Sequence, residues 1–175
     1  MPTTSLMDDG QGPRLRGKRR RLLVAVVVLG LAATAAACAP PVSPGVSNCG
    51  APGSPPAGVH QQIYNAINAQ RGSPLAWNGQ LYCLATDWSV RMGQAGAISH
   101  RDLNAVIRLP EFSGWRALGE TVFAGPAGMD GNSIVAYWMA SPSHAAIIRS
   151  ASYHSVGIGL HYSGGYVWVT ANFGG

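Results

Sequence analysis

Apolar positions along the chain change their period several times. Leu22 to Ala37 is an unbroken run of 16 uncharged residues, directly after the positive cluster Lys18-Arg19-Arg20-Arg21. At Val59 a helical period begins. Val59, Ile63, Ile67 and Gln70 share one face, with Tyr64 beside them, and predict an amphipathic helix over 59–71 that Gly72-Ser73-Pro74 stops. Leu81, Leu84, Ala85, Trp88 and Met92 recur at three and four, which predicts a second helix from Gly79 to Gln94 with Asn78 as its N-cap. Ser99-His100-Arg101-Asp102 is polar, and Pro110 to Gly114 reads as a loop. Leu118 to Ala124 predicts a short strand, and Ile134 to Ala140 a helix capped by Asn132 or Ser133. Pro142 opens a further helix to Arg149. The last segment has period two. Val156, Ile158, Leu160 and Tyr162 alternate, Ser163-Gly164-Gly165 signals a turn, and Tyr166, Trp168 and Thr170 alternate against Val167, Val169 and Phe173. That pattern predicts a β-hairpin.

The run of 16 residues is shorter than the roughly 20 that cross a bilayer as a helix. A positive cluster, an apolar run and small residues, in that order, predict a signal peptide over residues 1–37. Ala35-Ala36-Ala37 before Cys38 resembles a bacterial lipobox, in which the Cys becomes the lipidated first residue of the mature chain. Ala35 stands where that pattern prefers Leu, and an ordinary cut after Ala37 would leave Cys38 free. Residues 38–58 carry Pro40, Pro41, Pro44, Pro52, Pro55 and Pro56 among Gly and Ser. They cannot hold a regular helix or a central strand and read as a tether. The folded domain is expected over 59–175. There are three cysteines, Cys38, Cys49 and Cys83, an odd number for an exported chain. If Cys38 carries lipid, Cys49 and Cys83 remain as a pair for a disulfide in an oxidising compartment. Three free thiols or an intermolecular bridge are the alternatives. The chain is thus expected outside the cytoplasm, as a membrane-anchored lipoprotein or a secreted protein.

Charge changes the picture less than its total of +5 implies. Residues 1–57 hold six basic residues against Asp8 and Asp9, whereas residues 58–175 hold six Arg against five carboxylates. The basic excess belongs to the leader. The domain is nearly neutral without a basic run, which argues against nucleic acid as a partner.

Several segments, in order, resemble the CAP superfamily of cysteine-rich secretory proteins, venom allergens and pathogenesis-related proteins. They are Ile67-Asn68-Ala69-Gln70-Arg71 (N-x-x-R), Ser99-His100-Arg101, Gly119-Glu120-Thr121-Val122 (G-E-N), Trp138-Met139-Ala140-Ser141-Pro142-Ser143-His144 (W-x-x-S-P-x-H), and Tyr153 to Gly159 with Phe173-Gly174. The resemblance implies an α+β fold, a three-layer α-β-α sandwich with a central antiparallel sheet. It also implies that His100, Glu120 and His144, 20 and then 24 residues apart, meet in one cleft. Two departures stand out. Thr121 replaces the usual Asn, and the second glutamate that larger members carry after the tryptophan is missing, since Met139 and Ala140 follow Trp138.

Two imidazoles and a carboxylate suit a divalent cation such as zinc, with His100 and His144 as ligands. Alternatively, Glu120 hydrogen-bonds a histidine ring or anchors loop amides. His60, His154 and His161 read as polar turn residues, and Trp138, Trp88 and Tyr64 as core. Arg71 reads as structural. The sequence has no H-E-x-x-H, G-x-S-x-G or C-x-x-C, and Gly125 to Gly131 lacks a P-loop lysine. With no complete catalytic set, the leading expectation is a binding module for a lipid, an envelope component or a protein, held to the membrane at Cys38. A metal-dependent hydrolase using the same residues, and a surface scaffold, are the other two readings.

Overall fold

The computed structural model describes residues 49–175. The expected signal peptide over 1–37, the lipid site at Cys38 and the first part of the tether lie outside the described residues. Helix α1 (Val59–Ala69) buries Ile63 and Ile67 completely. It ends before Arg71 because the N–H groups of Gln70 and Arg71 turn back to the carbonyls of Ile67 and Asn68, a tightened last turn. The side chains of the N-x-x-R segment then hold neighbouring stretches of chain. Asn68 Oδ1 accepts the Leu75 N–H at 2.8 Å. Arg71 donates to the carbonyls of Ser73, Ile148, Ser150 and Tyr153.

Strand β1 (Ala76–Trp77) leads into α2 (Gly79–Ala95), whose N-cap Asn78 accepts the Leu81 N–H at 3.0 Å. The short helix α3 (Leu103–Val106) follows the polar segment, and a single 3-10 turn (Pro110–Phe112) lies in the expected loop. Then come β2 (Leu118–Pro126), α4 (Gly131–Ala140), α5 (Pro142–Arg149), β3 (Ser155–Ser163) and β4 (Tyr166–Gly174). The cap of α4 is Asp130, not Asn132 or Ser133. Its Oδ1 accepts the Ser133 N–H at 3.0 Å, which places both expected residues inside the first turn. The hairpin β3–β4 turns through Gly164 (φ 59°) and Gly165 (φ 78°). Two consecutive positive φ angles make the type I′ turn that matches strand twist.

The sheet has the order β1-β3-β4-β2. The three long strands are antiparallel, but β1 pairs parallel to β3 through Ala76↔Ser155 and Trp77↔Val156. The sheet is therefore mixed rather than purely antiparallel. A long crossover separates the two strands in sequence, which is the condition for parallel pairing. Helices α1, α4 and α5 cover one face. There Ile63, Ile67, Ile134, Trp138 and Ile148 pack on Val156, Ile158, Val169, Ala171 and Phe173, all essentially inaccessible to water. Helix α2 covers the other face, over β3 and β4. The fold is the three-layer α-β-α sandwich. Among the described residues, no helix is long and apolar enough to cross a membrane.

Cys49 and Cys83 form a disulfide with a Cα–Cα distance of 5.6 Å, which ties the tether to α2. The bridge spans 34 residues. In the chain-entropy picture such a loop stabilises the fold by about 3–4 kcal/mol. The Cys49→Ser/Cys83→Ser variant is expected to lose that much in urea denaturation. Equal stability of the two proteins would show that the bridge does not constrain the unfolded chain.

Candidate functional site

The polar segment Ser99 to Asp102 runs beside the middle of α2, and two contacts pin it there. The Trp88 indole N–H donates to the Ser99 carbonyl at 2.8 Å. The Arg101 guanidinium bonds Asp87 and stacks on Trp88, 4.8 Å from the ring centre. Asp87 also takes Arg91 at 2.9 Å, an i,i+4 pair on the same helix. His100 thus sits between two anchored residues, with its own side chain 56% exposed. Trp88 is only half-buried, and it serves this loop as well as the core.

Glu120 comes from β2, where the alternation of the strand turns it toward the α2 face beside Asn172 of β4. It is 3% exposed. Oε1 accepts from the Arg101 backbone N–H and bonds His100 Nδ1, each at 3.0 Å. Oε2 accepts from the Asn172 amide at 3.2 Å. His144 enters from the first turn of α5, where Ser141-Pro142 starts the helix. Its ring centre lies 6.2 Å from that of His100. Trp138 fixes the approach of α4, since its buried indole N–H donates to the Val122 carbonyl at 2.9 Å. The structure therefore brings His100, Glu120 and His144 together. Asp87, Trp88, Arg101 and Asn172 belong to the same cluster, and the sequence reading did not include them. Among the described residues, His144 Nδ1, Asn172 Oδ1 and Arg101 Nε are buried without a hydrogen-bond partner. Unpaired buried polar atoms at one place mark where water or a ligand atom would be held.

The two imidazoles are electrostatically unlike. The hydrogen bond to Glu120 raises the pKa of His100, with the charge of Glu120 adding to it against a burial penalty. Burial lowers that of His144, helped by the charge on His100. Protonated His100 favours the fold, a contribution complete below about pH 6.5 and lost as pH rises through its folded midpoint. Neutral His144 favours the fold, a contribution lost as pH falls below about 6.5. The two oppose each other, so ring-proton NMR separates them better than a melting curve. His100 is expected to titrate above 6.5 and His144 below it, with the His144 midpoint rising in His100→Ala. Coincident midpoints would contradict the arrangement. His60 and His161 are not turn residues: they lie in α1 and β3, and burial lowers the pKa of His60.

Residues 60–173 match the profile of the CAP family, described as the cysteine-rich secretory protein family. The chain belongs to the CAP family. No curated protein matches it in sequence. Among solved structures, this CAP domain is similar to an outer surface protein from Borrelia burgdorferi, at 17% identity and a TM-score of 0.57, over 65% of this chain and 90% of that one. It is also similar to an extracellular protein containing a SCP domain from Bacillus anthracis, at 24% identity and a TM-score of 0.56, over 65% of this chain but only 39% of that one. The venom allergen-like protein 4 of Schistosoma mansoni aligns at 14% identity and a TM-score of 0.50, over 65% and 86%. Likeness at these identities establishes the fold.

The donor set of this side-chain cluster falls short of a resident zinc site. Glu120 is occupied by its three hydrogen bonds, and two imidazoles remain. Among the described residues, no group of three or more His, Cys, Asp or Glu side chains is placed to hold a metal ion. Protein zinc sites use three or four such ligands.

Proposed function

We propose that this CAP domain works outside the cytoplasm as a binding module, held to a membrane face by a lipid on Cys38, with His100, Glu120 and His144 forming its ligand cleft. The observation that carries this reading is the engagement of Glu120. A general base needs a carboxylate that reaches water or substrate. Glu120 is buried, and both its oxygens serve to hold His100, Arg101 and Asn172. Its role is to orient, not to take a proton from a substrate. What faces outward is the far nitrogen of His100, which has no partner among the described residues. It accepts a hydrogen bond when His100 is neutral and donates one when the ring is protonated, and it lies beside the unpaired His144 Nδ1, which suits a lipid, an envelope component or a protein segment that presents a polar group. The 16-residue apolar run before Cys38 and the odd cysteine left by the Cys49–Cys83 bridge support the anchor.

Solvent extraction of protein purified from its native membrane is the test. Wild type is expected to carry a ligand that the His100→Ala/His144→Ala variant loses. Equal extracts from the two would remove the cleft from the proposal. Zinc titration is expected to show the same weak binding in both proteins, and tight binding confined to wild type would return the metal-dependent hydrolase to first place. Mass spectrometry of the mature N-terminus is expected to find Cys38 acylated, and an unmodified Cys38 would refute the anchor.

A further inference from the structure

We propose that a second site, at the C-terminal end of α5, binds a phosphate-bearing anion. A cavity of about 360 Å³ opens there, and Arg71, Arg149, His154 and Ser73 are among the residues that line it. None of the five carboxylates in residues 58–175 lines it. Nor does His100, Glu120 or His144, so this site stands apart from the cleft, and either can fail without the other.

A helix C-terminus ordinarily repels anions, because its last carbonyls carry partial negative charge. Here that charge is covered. Arg71 reaches across from the end of α1 and donates to the carbonyls of Ile148 and Ser150, and to those of Ser73 and Tyr153 around them. These carbonyls are neutral groups, so they satisfy the donors of the guanidinium without cancelling its full positive charge. The helix end is thereby turned from an electronegative surface into an electropositive one.

Arg149 and His154 project from either side of the α5–β3 connection and are exposed. Their side chains have no hydrogen-bond or ion-pair partner among the described residues. The dipole of α5 accounts for an arginine in its last turn. It does not account for two arginines and a histidine around one concavity with no acid in its wall. A phosphate group fits this chemistry. The planar fork of Arg149 offers two parallel donors to phosphate oxygens. His154 and the Ser73 hydroxyl add one donor each, while Arg71 supplies field. Two sources carry that group: the headgroup of an anionic phospholipid, or a soluble phosphate ester.

The test uses folded Cys38→Ala protein, which carries no lipid of its own, and inorganic phosphate, at constant ionic strength with chloride as the exchanged anion, followed by amide NMR. Saturable shifts confined to residues 71–73 and 149–154 are expected. Arg149→Ala is expected to weaken binding about tenfold or more, the worth of one hydrogen bond between charged groups. Arg149→Lys keeps the charge without the fork and should fall between. Unchanged hairpin resonances would show that both variants fold. Cosedimentation with phosphatidylglycerol vesicles but not phosphatidylcholine vesicles, lost in Arg149→Ala, would assign the site to a lipid headgroup. Phosphate binding without vesicle binding would assign it to a soluble ester. Absence of saturable shifts, or phosphate or vesicle binding that Arg149→Ala leaves unchanged, overturns the site.

Discussion

Glu120→Ala is expected to cost about 3–5 kcal/mol, the scale for removing one partner from a buried charged network. The side chain is 2% exposed and takes three hydrogen bonds from two separate pieces of chain, the His100-Arg101 loop and β4. Alanine leaves the Arg101 N–H and the Asn172 amide buried without an acceptor, and each orphan is costly by itself. Arg101 would also lose a nearby compensating charge while staying buried. Glu120→Gln separates charge from shape. A carboxamide keeps one acceptor oxygen and offers N–H where an acceptor is needed, so the loss should be smaller, about 1–3 kcal/mol. In both variants the His100 midpoint should fall, because the carboxylate that favours its protonated form is gone. Urea denaturation and ring-proton NMR on the same samples measure the two effects. If Glu120→Ala were as stable as wild type, the buried carboxylate would not organise the cleft.

What the sequence showed of this arrangement depended on how far apart the interacting residues lie. The hairpin was legible because its period-two alternation and its Gly164-Gly165 turn are local, and so was the Asn78 cap of α2. Strand β1 was not. It has two residues, too few for a period, and its partners are Ser155 and Val156. The one-turn helix α3 and the 3-10 turn are too short to show a face. Asp130, Asn132 and Ser133 are all good caps by residue type, and only the Ser133 N–H, pointing back to Asp130, decides among them. For the site, spacing alone could not join His100, Glu120 and His144, and the family motifs did. Two signals for the supporting residues were present. Asp87 and Arg91 are an i,i+4 pair. Asn172 is a polar residue continuing the Trp168, Thr170 alternation into a buried face, where a side chain without a partner is costly. That its partner is Glu120 is a matter of strand register, which no short segment encodes.

The same dependence of the site on the fold makes Gly159→Ala informative. Helix α2 lies so close to β3 that a Cβ at Gly159 would overlap the backbone nitrogen of Thr86, and one at Gly157 that of Tyr82. Helix backbone cannot rotate aside as a side chain does, so α2 must lift from the sheet. Lifting it also breaks the buried contacts of Ser89 Oγ, 3.0 Å from both the Gly159 carbonyl and Thr170 Oγ1. Overpacking of about 1–3 kcal/mol and a broken buried hydrogen bond of similar size put the expected loss at about 2–6 kcal/mol. The more telling outcome concerns His100. Asp87 and Trp88 ride on α2 and hold Arg101 and Ser99 on either side of it, whereas Glu120 belongs to the sheet. A wider gap between helix and sheet therefore draws His100 and Glu120 apart. In Gly159→Ala protein that still folds, the His100 midpoint is expected to fall back toward 6.5. A variant with lowered stability and an unchanged His100 midpoint would mean that the loop follows the sheet and not α2, which would separate the cleft from the helix that we argue positions it.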